Sequence, residues 1–261
     1  MTVAQPAVRS ETVATASPPL IAPHRLALFL DLDGTLAPIM PRPDDVGPDP
    51  RRARLLARLI AVLDGRLAVV SGRSLPDLDH ILGGGVRAIA AVHGLVRRTA
   101  DGQLVDREPH PGLEEARRIL GELADCERGL LFEDKGLSIA LHYRNAPACA
   151  EAVNEAAERL SQATGLVLQQ GDMVAELRTP GADTGAAVRA FLRETPFTNA
   201  TPIFVGDDLT DEDGFTAADR LGGFGVLVGP ARPTAARYRL SDHEAVFRWL
   251  EGLRIPMEAS A

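Results

Sequence analysis

The sequence predicts an α/β fold: a parallel sheet covered by helices, interrupted by a separate α+β unit. Three observations predict it. Short apolar runs alternate with stretches of helical periodicity at both ends of the chain. Several of those runs end on acidic or Ser-Gly clusters, where parallel sheets place their ligands. Finally, about 110 residues separate Arg73 from Thr184, far more than a connecting loop needs.

Residues 1–24 are rich in Ala, Thr, Ser and Pro and lack the apolar run of a signal peptide, so a flexible tail is expected. "LALFL" (26–30) is a buried strand by its unbroken apolar run. "PRRARLLARLIAVLD" (50–64) has helical spacing, with Pro50 suited to the first turn. "RLAVVSGR" (66–73) is a second strand ending in a polar turn, "SLPDLDHIL" a helix, and "RAIAAVHG" (87–94) a third strand. The pattern then changes. A helix (112–124), an alternating hairpin (129–144), a second helix (147–164) and a second hairpin (165–178, turning near Gly171-Asp172) form an antiparallel α+β unit. The first pattern returns with a helix at 184–194, a strand at 201–208, a helix opened by "LTDEDGFTAAD", a strand at 223–229 and a helix at 242–253. The expected organisation is a tail (1–24), a core built from 25–106 and 179–261, and an inserted unit at 107–178.

Composition narrows the function classes. A formal charge of -8 argues against nucleic acid as the main partner. No run approaches the roughly 20 apolar residues of a membrane span. Cys126 and Cys149 match neither a disulfide framework nor a metal-ligand spacing, which fits a reduced, cytoplasmic protein. Of 28 basic residues, Lys135 alone is Lys. It stands out because Arg does not replace a compact ammonium.

Asp31 and Asp33 end the first strand, and "GDDLTDED" (206–213) ends another. A parallel sheet can bring Asp31, Asp207 and Asp211 together. Such hard oxygen donors suit Mg²⁺, with water and a substrate phosphate completing its shell. "SGR" (71–73) offers a hydroxyl, a small residue and a helix start, which together bind phosphate. Taken singly, each feature also reads as a turn or a helix cap. Their coincidence at the ends of strands in one sheet favours a site.

"DLDGTL", "SGR" and "GDDLTDEDGF", in this order, resemble the haloacid dehalogenase superfamily of phosphotransferases. The resemblance implies a parallel-sheet, Rossmann-like core with an inserted cap. It implies Asp31 as nucleophile, Asp33 as general acid and base, and Gly34, Thr35, Ser71, Gly72 and Arg73 around the phosphate. It also implies Mg²⁺ held by Asp31, the Asp33 backbone carbonyl and Asp207, with Asp211 a further ligand or a partner of the ligands and Asp208 nearby, so that the metal set is Asp31, Asp33, Asp207, Asp208 and Asp211. The helix-hairpin-helix-hairpin insert, with "FEDKGLSIALHYR" and "VAELR", is similar to the cap of trehalose-6-phosphate phosphatases. In that family the residues matching Glu133, Lys135 and Glu176 bind sugar hydroxyls. His142, Arg144 and His93 are secondary candidates. The implied reaction is hydrolysis of trehalose 6-phosphate, functionally linked to a trehalose-6-phosphate synthase. Sucrose phosphate or mannosyl-glycerate phosphate is the alternative substrate. One position departs from the family: Thr184 stands where a Lys is expected. That leaves a slow enzyme, compensation by Arg178 or Arg189, or a silent sugar-phosphate-binding protein. Locally, Thr184 reads as a helix N-cap.

Overall fold

The computed structural model describes residues 14, 16–19, 25–171 and 173–253. In order, the chain runs β1 (Leu26–Leu30), α1 (Pro50–Val62), β2 (Leu67–Val70), α2 (Leu75–Leu82), β3 (Ala88–Ala91), β4 (Val96–Arg98) and β5 (Leu104–Val105). There follow α3 (Gly112–Cys126), β6 (Leu131–Asp134), β7 (Ser138–His142), α4 (Ala150–Thr164), β8 (Val167–Gly171) and β9 (Val174–Arg178). The chain then continues with α5 (Thr184–Phe191), β10 (Thr201–Gly206), α6 (Glu212–Arg220), β11 (Phe224–Val228), β12 (Tyr238–Leu240) and α7 (His243–Gly252).

Side chains alternate along a strand. β1 therefore sends Leu26, Leu28 and Leu30 to one face and Ala27 and Phe29 to the other, and all five are buried. A strand buried on both sides needs helices on both sides. One face packs on Leu55 and Leu59 of α1, Leu78 of α2, and Val246 and Leu250 of α7. The other packs on Val188 and Phe191 of α5 and Phe215 of α6. There Phe29 lies 6.1 Å from Phe191 and 5.7 Å from Phe197 between ring centroids, close enough for aromatic contact beyond plain burial.

The large sheet has the order β12-β11-β10-β1-β2-β3-β4-β5. It is parallel from β12 to β3, and β4 and β5 extend it antiparallel. Chain order reverses at β1, which sits between β10 and β2. That reversal opens a crevice beyond the C-terminal ends of β1 and β10.

The second sheet, β6-β7-β9-β8, is wholly antiparallel. Ile139, Leu141, Ala175 and Leu177 cover one face and meet Leu113, Ala116 and Leu120 of α3 and Val153 and Leu160 of α4. The opposite face is set by register: Glu133 pairs with Ala140, Ala140 with Glu176, and Glu176 with Gln169. The small Ala140 in that row leaves space between the two carboxylates. Of the expected second turn, Asp172 lies outside the described residues.

Two features differ from expectation. β4, β5 and β12 were not anticipated, because each is two or three residues long and β4 and β12 carry Arg97, Arg98 and Arg239 within the strand. Much of the expected tail lies outside the described residues, but 14 and 16–19 are not free. The Arg239 N–H of edge strand β12 donates to the Ala16 carbonyl at 2.9 Å, and Trp249 Nε1 to the Pro19 carbonyl at 3.2 Å. An edge strand presents unpaired N–H groups, and here this segment supplies an acceptor. No helix among the described residues is long and apolar enough to cross a membrane.

Candidate active site

Asp31 directly follows β1, its N–H held by the Val205 carbonyl at 2.9 Å. Two glycines allow other carboxylates to approach it. Gly34 has φ +79°, and a Cβ there would lie 2.1 Å from Asp207 Oδ2. At Gly206 a Cβ would lie 2.2 Å from Asp211 Oδ2. In consequence one carboxylate oxygen each from Asp31, Asp207 and Asp211 falls within 4.8 Å of the others. Burial raises all three pKa values, and repulsion from neighbouring aspartates raises them further. Asp207 is pushed up to about 7, by burial and then by Asp208 and Asp33. At Asp31 burial is followed by Asp211, Asp207 and Asp33, all acting in the same direction. A cluster of hard oxygen donors whose repulsion outweighs the opposing Arg232 charge and backbone N–H groups fits a small divalent cation such as Mg²⁺.

The other two expected acids point elsewhere. Asp33 accepts from Arg73 Nε at 2.6 Å and Arg73 Nη2 at 2.8 Å, a bidentate pair at the cleft. Asp208 Oδ1 accepts from the Leu209 N–H at 2.7 Å, and its own N–H donates to Asp211 Oδ2 at 3.1 Å. Asp208 thus caps the turn that presents Asp211. Ser71 is buried at the end of β2, with Gly72 and Arg73 following it. Thr35 Oγ1 is buried without a protein partner.

Across the cleft, the second sheet presents a network of charged groups. Lys135 Nζ donates to Glu176 Oε2 at 3.0 Å and lies 3.8 Å from Glu133. His142 Nε2 lies 2.8 Å from Glu133 Oε2. Burial alone would raise the Glu176 pKa. Lys135, His93 and the Ser138 hydroxyl overcome it and hold this carboxyl well below the usual range. Burial would likewise lower the Lys135 pKa, but Glu176 and Glu133 raise it on balance. Arg144 also borders the cleft, as do Ile39, Met40 and Arg42 from the loop after β1.

Thr184 is not the N-cap of α5. Asp183 is, accepting from the Ala186 N–H at 2.5 Å. Thr184 is buried one residue further on and donates its hydroxyl to the Thr210 carbonyl at 2.8 Å. Neither suggested substitute reaches the cleft. The Arg178 guanidinium donates to the Ala182 carbonyl, and Arg189 lies 3.5 Å from Asp183. On the core side, Arg73 lines the cleft paired with Asp33.

Besides the loop residues Ile39, Met40 and Arg42, Gln169 and Arg232 escaped the sequence reading. Gln169 Nε2 lies 2.9 Å from His93 Nε2, and only the β8-β9 register could have revealed it. Arg232 Nη2 donates to the carbonyls of Asp208 (2.9 Å) and Asp207 (3.3 Å), while its Nη1 pairs with Glu212. It braces the acidic loop from behind, and no local motif marks it.

The sequence model of the trehalose-phosphatase family matches residues 29–244. The trehalose-6-phosphate phosphatase of Escherichia coli K12 is 39% identical over 243 residues, spanning 91% of this chain and 89% of its own. A bifunctional trehalose-6-phosphate synthase/phosphatase of Thermoproteus tenax is 36% identical over 242 residues, 89% of this chain and 32% of its own. Among solved structures, the C-terminal domain of Candida albicans trehalose-6-phosphate phosphatase superposes with a TM-score of 0.78 at 22% identity. That match covers 87% of this chain and 91% of the domain, and it speaks for the fold alone.

Proposed function

Because this chain belongs to the trehalose-phosphatase family of phosphoric monoester hydrolases, we propose that it hydrolyses trehalose 6-phosphate to trehalose and phosphate. The observation that carries this reading is one cleft with the Asp31, Asp207 and Asp211 cluster on one wall and the Lys135, Glu176 and Glu133 network on the other. The first suits a phosphoryl group with a cation, the second a polyhydroxylated sugar.

Asp31 is the nucleophile: a carboxylate oxygen attacks phosphorus and the bond to the sugar oxygen breaks. Asp33 gives the departing oxygen its proton. It then takes a proton from the water that attacks the aspartyl-phosphate, releasing phosphate and restoring Asp31. Ser71 and Arg73 hold phosphoryl oxygens, with Gly34, Thr35 and Gly72 shaping the pocket. Arg73 is the guanidinium best placed to offset the charge that Thr184 does not. Asp31, Asp207 and Asp211, with Asp33 and Asp208 adjoining, would hold Mg²⁺, which supplies positive charge against the phosphoryl oxygens. Free Cys126 and Cys149 suit a reducing, cytoplasmic setting. The Thermoproteus tenax relative, named as both synthase and phosphatase, supports a functional link to a trehalose-6-phosphate synthase.

The direct test is phosphate release from trehalose 6-phosphate, sucrose 6-phosphate and glucose 6-phosphate, each with Mg²⁺ and with EDTA. Selective, Mg²⁺-dependent release from the first is the expected result. Equal rates on all three would remove the sugar assignment. Lys135→Met should raise KM for trehalose 6-phosphate by about 10²-fold, as expected when a charge-assisted donor is lost and the buried Glu176 keeps only Ser138 and His93 beside it. Parallel kinetics on p-nitrophenyl phosphate, which has no sugar, should show a far smaller change.

A further inference from the structure

We propose that His93 is a positioning residue that couples the phosphate loop to the sugar-binding sheet, holding Glu176 in place and the cleft closed. The proposal rests on the sugar-phosphatase reading of the cleft but goes beyond it to what joins the two walls.

The local backbone is the first observation. Val92 has φ +47° and His93 φ +54°. Two successive non-glycine residues in the left-handed region are unusual, and a β-branched one there is an outlier. Such a conformation persists only where its surroundings impose it, and it gathers at functional sites. Here the phosphate loop imposes it. The Val92 N–H donates to the Arg73 carbonyl at 2.9 Å, and the His93 N–H to the Ser71 carbonyl at 3.0 Å.

The ring supplies the second observation. It lies against Gly72, where a Cβ would fall 2.5 Å from His93 Nε2. The small residue of the Ser-Gly-Arg turn therefore makes room for this imidazole as well as for a ligand. The same Nε2 faces the inserted unit, 2.9 Å from Gln169 Nε2 on β8 and 3.5 Å from Glu176 Oε2 on β9. With the ring proton on Nδ1, the Gln169 amide donates to Nε2. With the proton on Nε2, the ring donates toward Glu176. Glu176 in turn holds Lys135. One core side chain thus touches the phosphate loop behind it and two strands of the sugar-binding sheet ahead. A histidine that merely filled the core would not need its polar atom at this junction.

The test uses His93→Asn, whose short side chain tolerates the left-handed backbone but cannot span the cleft. It pairs this variant with Gln169→Ala, which leaves the strained turn untouched. Each should lower kcat/KM for trehalose 6-phosphate by about tenfold or more, chiefly through KM. The loss on p-nitrophenyl phosphate should be much smaller. The double variant should be no worse than the weaker single one, because residues of one linkage are non-additive. A readout independent of substrate comes from energy transfer between Trp249, the single Trp, and a dye on exposed Cys126 in a Cys149→Ser background. Both variants should shift the transfer efficiency in the same direction and to a similar extent. Unchanged efficiency, additive losses, or equal losses on both esters would overturn the proposal. If the wild type releases phosphate from p-nitrophenyl phosphate but not from trehalose 6-phosphate, the sugar reading fails. The energy-transfer comparison still judges the linkage.

Discussion

An Asp31→Asn variant is expected to lose phosphate release by at least about 10⁴-fold and yet to melt at a higher temperature than the wild type when both are metal-free. The two effects have separate origins. An amide oxygen is a poor nucleophile, so the covalent step fails. But Asp31 is also one of three acids crowded within 4.8 Å, two of them buried and Asp207 half-buried, and all three pKa values are raised by burial and then by neighbouring aspartates. The sign follows from linkage. A folded-state pKa above the unfolded value means the folded protein holds protons that the unfolded chain has released. The associated stability is complete below the ordinary aspartate value of 3.8 and is lost as pH rises toward the folded values, about 7 for Asp207. At pH 8 the repulsion is at its fullest, and Asn removes one charge from it. Melting curves at pH 6 and pH 8, with EDTA and with Mg²⁺, check this. The wild type should lose more stability than the variant between the two pH values in EDTA, and Mg²⁺ should restore more to the wild type. A lower melting temperature for the variant in EDTA at pH 8 would mean that the cluster is not strained by its own charge.

This balance also explains what was legible in the sequence. Asp31 and Asp33 stood out because two acids at the end of an apolar run are costly without a ligand. Asp207 and Asp211 stood out for the same reason, and a parallel sheet brings such ends together. The roles of Gly34 and Gly206 were less visible, since the need for a missing Cβ exists only once the neighbouring carboxylate is in place. Glu176 and Lys135 are distant in sequence, and their contact depends on the β7-β9 register. No local periodicity contains that information, so only the resemblance linked them. β12 and the Ala16 carbonyl that its Arg239 N–H meets come from opposite ends of the chain. A composition-based reading of the N-terminal segment as a free tail had no means of finding an edge strand so distant. Thr184 misled in a smaller way. A hydroxyl at a helix start suggests a cap, but the preceding Asp183 is the stronger acceptor and takes that place.

Thr184→Lys is expected to raise turnover of trehalose 6-phosphate at saturating Mg²⁺ by about 10²-fold, the size associated with one donor aimed at developing transition-state charge. The position suits it. Thr184 donates to the Thr210 carbonyl, and Thr210 borders the cleft beside Asp208 and Asp211. A lysine stem can lie along the buried helix start while its ammonium extends into the acidic corner. Two electrostatic effects oppose each other there. A cation in the first turn of α5 meets the positive end of the helix dipole, a cost of about 0.3–1 kcal/mol. Against this, one carboxylate 4 Å away attracts it by about 4 kcal/mol at the intermediate dielectric of such sites, and three carboxylates share the corner. The attraction wins even after desolvation takes a large part of it. The same substitution should also raise the metal-free melting temperature at pH 8, since it supplies the counter-charge the cluster lacks. If turnover does not rise while that stability gain appears, the added ammonium sits in the corner but the phosphoryl charge is already met. Arg73 is then the residue meeting it: Arg73→Met should lose activity in the Thr184 background and retain more of it beside Lys at 184. If neither turnover nor stability rises, position 184 does not face the acids, and the match of this residue to the family's lysine is wrong.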